Sequence, residues 1–144
     1  MKASYYFTFE EDWRRAPVAF WVHVPVPGTE KDCSPPAPEA IPHKGYLFLH
    51  IEFESYELQF SSPAQLDHFI EVLASKPLPT SHQLSLRRGL PVGPNSHWLS
   101  RLPAALKAPR KREKLVQELR SIMRETAGQG ANNAFQPMPS ARLN

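Results

Sequence analysis

The sequence predicts an α+β domain, with an antiparallel sheet of about four strands followed by two to three helices packed on one face. Apolar residues alternate through most of the first 61 positions, whereas beyond position 62 they recur at helical spacing. Strands come first and helices after them, an order that points to an antiparallel sheet with its helices on one side.

Tyr5, Phe7 and Phe9 alternate with Tyr6 and Thr8, which predicts a first strand at about 4–9. The acidic run Glu10-Glu11-Asp12 ends it. Val18, Phe20, Val22 and Val24 alternate with Ala19, Trp21 and His23, predicting a second strand at 18–26. Pro17 and Pro25 bound that strand or confine it to an edge. Between positions 27 and 44, Gly28, Pro35, Pro36, Pro38 and Pro42 predict a long surface loop of polyproline character.

The clearest β signal follows. Leu47, Leu49, Ile51 and Phe53 face one way and Tyr46, Phe48, His50 and Glu52 the other, giving a strand at 46–53. After Glu54-Ser55 the phase changes, and Tyr56, Leu58 and Phe60 become the apolar set of a strand at 56–61. A two-residue turn accounts for the switch.

Ser62-Pro63-Ala64-Gln65 has the chemistry of a helix start, with Ser62 accepting from the Gln65 amide and Pro63 at the first helical position. Leu66, Phe69, Ile70 and Leu73 then fall at i, i+3, i+4 and i+7, one face of a helix at 63–75 that would cover the sheet. Lys76-Pro77-Leu78-Pro79 stops it, and residues 77–95 read as loop. Asn95 or Ser96 caps a short helix at 96–102, and a last helix runs from 109 to 127. Its stripe is Leu115, Val116, Leu119, Ile122 and Met123, with Gly128 as the stop. Residues 1–127 are expected to form a single domain, and 128–144 a mobile tail with little to pack.

With 144 residues, 41 % apolar and 22 % charged, the chain suits one domain of ordinary composition. The 16 prolines cluster in connecting segments, so the loops should be stiff. The single cysteine, Cys33, excludes an internal disulfide and a cysteine-based zinc knuckle, and reads as an incidental thiol. No apolar leader follows Met1, and no run approaches the ~18 residues of a membrane span. A soluble, cytoplasmic protein without a membrane partner is expected.

Charge is divided by position. Residues 1–75 hold 5 Lys and Arg against 11 Asp and Glu, a net of −6; residues 76–144 hold 12 against 3, a net of +9. A field of one sign gathered on one segment attracts polyanions. Arg110, Lys111, Arg112 and Lys114 open the last helix, Lys107 precedes it, and Arg120 and Arg124 follow. At about 100° per residue, Arg110, Lys114, Arg120 and Arg124 lie away from the apolar stripe. Cations at a helix start cost about 0.3–1 kcal/mol each where exposed, and a bound phosphate reverses that sign.

These residues mark nucleic acid as the expected partner, with His97, Trp98 and Arg101 as further contacts. Trp21, Tyr46 and Phe48 are stacking candidates, which would slightly favour single strands. A covering helix or a partner subunit would instead hide those rings. Trp98 can equally anchor its short helix in the core.

Two rivals remain. One is an interaction or assembly module, in which the acidic half of one copy meets the basic half of another and the aromatic sheet face is the interface. The weaker is a metal-dependent nuclease using His50, Glu52 and Glu54, with His23 across from them. The histidine spacing carries no zinc signature, and neither a nucleophile elbow nor a phosphate loop is present. Hence no catalytic residue, cofactor or resident metal is assigned, and an enzyme is the less expected outcome.

Overall fold

Leu49 and Ile51, both fully buried, sit at the centre of the fold because their strand is the middle one of the sheet. The computed structural model describes residues 3–28, 33–79, 98–126 and 135. Three antiparallel strands form the sheet in the order β1 (Ser4–Glu10), β4 (Tyr46–Phe53), β5 (Tyr56–Phe60). Two residue pairs, β2 (Val24–Pro25) and β3 (Cys33–Ser34), form a separate small ladder.

Register follows the predicted faces. Tyr5 opposes Ile51 and Phe7 opposes Leu49, while Ile51 opposes Leu58 and Phe53 opposes Tyr56 across the hairpin. The two-residue turn is present, with Glu54 at φ 57, a left-handed position that resets the side-chain phase. Gly45, before β4, has φ +101, and a Cβ there would lie 2.5 Å from the Glu10 carbonyl oxygen. Only glycine fits this close approach.

Helix α2 (Pro63–Ala74) begins as its sequence suggests, Ser62 Oγ accepting from the Gln65 amide at 3.3 Å. The Gln65 side chain reaches back one residue further than the usual box, accepting from the Ser61 amide at 2.9 Å. Helices α3 (Ala104–Lys107) and α4 (Pro109–Thr126) follow a 3-10 turn at Trp98–Arg101. Leu66, Phe69 and Leu73 of α2 meet Leu115, Leu119 and Ile122 of α4 over Phe7, Leu49, Ile51 and Phe60. That is the principal core.

The strand expected at 18–26 is not formed. Trp13–Arg15 is a 3-10 turn, α1 (Ala19–Val22) is a single helical turn, and only Val24–Pro25 is extended. Val18 and Val22 are spaced i, i+4 as well as alternately, and burial selects the helical reading: Val18, Ala19 and Val22 are buried while Phe20 is 55 % exposed. Among the described residues the sheet therefore has three strands. The short helix expected at 96–102 is the 3-10 turn, ended by Pro103; residues 96 and 97 lie outside the described ones. Of the tail assigned to 128–144, only Phe135 is described, and it is buried, its ring 6.1 Å from Phe7. The rest of 128–144 lies outside the described residues. Among the described residues, no helix is long and apolar enough to cross a membrane.

Candidate functional site

Helix α4 places its charges by their angular position. Leu115, Val116, Leu119 and Ile122 are buried, so the opposite face, with Arg110, Lys114, Arg120 and Arg124, is exposed. Among the described residues none of these four cations makes an ion pair. The first and last lie 14 positions apart, about 21 Å at ~1.5 Å rise per residue. Glu113 lies on the same face and is also exposed.

One flank of the helix carries Lys111, Glu118 and Glu125 at i, i+7 and i+14, and it faces the sheet. Lys111 Nζ donates to Glu54 Oε1 at 2.8 Å. Glu118 Oε1 accepts from the Ala3 amide at 2.7 Å, and Glu125 Oε2 accepts from the Tyr5 hydroxyl at 2.6 Å. Burial, together with the Glu125 carboxylate, pushes the Tyr5 phenol up to about 12. Two of the helix's three carboxylates are thus bonded to Ala3 and Tyr5, while its outward cations make no ion pair among the described residues.

The remaining basic positions divide. Arg112 is half-buried and donates to the Lys107 carbonyl at 3.1 Å, which turns it back along the chain. Lys107 is half-buried at the end of α3. Arg110, Lys111 and Lys114 line a shallow groove of about 570 Å³ with Glu54, Ala105 and Ala108. Arg101 closes the 3-10 turn through its backbone; its side chain, like all of His97, lies outside the described residues.

Trp98 packs into the core. It is 5 % exposed, stacks on Phe69 at 4.6 Å, and its indole N–H donates to His68 Nε2 at 3.0 Å. Burial holds the His68 imidazole down to about 4, so the ring stays neutral and accepts that proton.

The stacking surface does not assemble. Phe48 is 1 % exposed, enclosed by Ala16 and Ala19 with Trp13 and Tyr46 packed around them. Tyr46 is half-buried there, and Trp21 is half-buried against the main core. Residues 13–22, which overlap the strand expected at 18–26, are what cover Phe48 and Tyr46.

Beyond Phe48 the outer sheet face is polar. Tyr6 stacks on His50 at 4.6 Å and donates to Glu57 Oε1 at 2.6 Å. That hydrogen bond raises the Tyr6 phenol to about 12 and, with a second from Gln59, lowers the Glu57 carboxyl. The Thr8 hydroxyl donates to Glu10, so His50 Nε2 is the donor to Thr8 at 2.6 Å. His50 Nδ1 is left buried without a hydrogen bond, 3.6 Å from Glu57 Oε1.

The nuclease constellation is dispersed. Glu54 is committed to Lys111, and His23 lies elsewhere, donating from Nδ1 to the Pro35 carbonyl at 3.0 Å and accepting at Nε2 from Ser62 at 2.9 Å. Ser62 has no exposed surface, so this serine–histidine pair is a buried strut that secures the start of α2. Among the described residues no three His, Cys, Asp or Glu side chains converge to hold a metal ion.

Sequence inspection passed over Glu118, Glu125 and Glu57. The first two were within reach, since they share a flank with Lys111 at seven-residue spacing. Glu57 carries no such signal, because Tyr6 and His50 reach it from β1 and β4.

The class of molecule defined so far is an α+β domain with a three-stranded antiparallel sheet and an outward helix face rich in cations. Comparison of the chain with protein-family models, with curated protein sequences and with solved structures returns no match.

Proposed function

We propose that this protein binds nucleic acid through the outward face of α4, with Arg110, Lys114, Arg120 and Arg124 on phosphates. One observation carries the reading: these cations are exposed and, among the described residues, make no ion pair, while Glu118 and Glu125 bond to Ala3 and Tyr5. A polyanion would also relieve the unfavourable meeting of cations and helix dipole at the start of α4, whose first turn contains no acidic residue. With Phe48 buried, unpaired bases have lost their stacking surface, so phosphate contact is what remains, and a duplex serves it well.

The test is fluorescence anisotropy of the full chain with labelled single- and double-stranded oligonucleotides across a salt series. Four phosphate contacts predict a slope of log K against log salt of about −3 to −4 on duplex. Arg120→Gln with Arg124→Gln should reduce it by about 2. Binding without a salt slope, or millimolar Kd at low salt, would overturn the reading.

A further inference from the structure

β5 is an edge strand. It pairs with β4 on one side, and among the described residues no strand pairs with its other side. A groove of about 400 Å³ is lined by Glu57, Leu58, Gln59 and Phe60 in succession. Side chains of a strand alternate between faces, so a groove touching four consecutive residues follows the strand's edge rather than either face. Val18, Phe69 and Leu102 give it apolar walls. Unpaired backbone groups beside an apolar trench suit an added strand, the backbone supplying affinity and alternate side chains specificity.

The Tyr56 end of this trench is acidic. Glu57 also lines an adjoining recess of about 150 Å³ with Glu52 and Glu54. Glu54 is already taken by Lys111, but Glu52 is exposed, makes no ion pair among the described residues, and stands directly opposite Glu57 in the ladder. Like charges so placed repel, and a cation between them would remove the penalty. A second copy offering its own β5 would bring another Glu57 to this recess, and charge on an edge strand discourages such self-pairing.

We propose that the free edge of β5 receives an extended segment of a partner protein by strand addition, with alternate apolar side chains in the groove and a lysine or arginine beside Glu52 and Glu57. This surface is separate from the outward face of α4, and its occupancy does not depend on nucleic acid.

The probe is a displayed library of random eight-residue peptides selected on the full chain, the enriched peptides then being titrated into isotope-labelled protein. Enrichment of alternating apolar residues with a terminal Lys or Arg, and amide shifts and exchange protection centred on residues 56–60, are expected. Alternate N-methylation of the peptide backbone should abolish binding. Glu57→Lys should weaken a lysine-ended peptide about tenfold, the loss of one charge-assisted contact. The same variant should favour the glutamate-ended analogue. Should Glu57→Lys fail to fold, the N-methylated peptides decide alone. No enrichment, shifts centred on another surface, indifference to N-methylation, or concentration-dependent self-association through β5 would each overturn the proposal.

Discussion

Replacing Phe48 with alanine removes a ring that is 1 % exposed and leaves a cavity between Ala16 and Ala19. The expected cost is about 3–5 kcal/mol, measured by urea unfolding; a stacking residue on an open face would cost far less. Two histidines should weaken the fold in acid. Burial holds His23 below its ordinary value and His68 down to about 4, so in each case the unfolded chain takes up the proton first. Their contribution is complete above about pH 6.5 and declines below it, that of His68 being lost as pH falls toward 4. His68 alone should account for on the order of 2 kcal/mol after allowance for its partial contact with solvent. Urea midpoints taken from pH 7.5 to 4.5 should fall, and His68→Gln, which keeps an acceptor for Trp98, should flatten the curve.

At the scale of the element, α4 is in tension with itself. Its stripe of Leu115, Val116, Leu119 and Ile122 binds it to the core, yet its opening turn places cations at the positive end of the dipole. Arg110→Gln should therefore stabilise the fold by about 0.3–1 kcal/mol at low salt while weakening oligonucleotide binding. Thermal melts and anisotropy on the same variant check both signs. A variant that loses stability together with affinity would show that Arg110 supports the fold instead. The segment 13–22 teaches a different lesson. Val18 and Val22 satisfy both periods, and four residues are too few for periodicity to choose between them. Contact with Phe48 and α2 chose.

Across the whole molecule, β1, α2, α4 and Phe135 share one core, although the chain separates them widely. Far-UV circular dichroism, which reports the helices, and tryptophan fluorescence, which reports Trp13, Trp21 and Trp98, should give coincident urea transitions. Separate transitions would mean that the 13–22 cover unfolds on its own. The division of charge along the sequence survives in three dimensions only in part. Lys111 is drawn to Glu54, whereas among the described residues Arg110, Lys114, Arg120 and Arg124, on the helix face turned away from the sheet, make no ion pair.

The hairpin at 46–60, helix α2 with its Ser62 cap, and the span of α4 were legible from residue order, because period and cap chemistry are local and repeat within a few residues. The positions of α4 that face outward followed from the same arithmetic. Tertiary structure alone decided that Phe48 and Trp98 are enclosed, that Glu118 and Glu125 bond to Ala3 and Tyr5, and that among the described residues no strand pairs with the outer edge of β5. Each of these depends on groups distant in the chain, such as Ala3 and Glu118, and no local pattern records which partner will arrive.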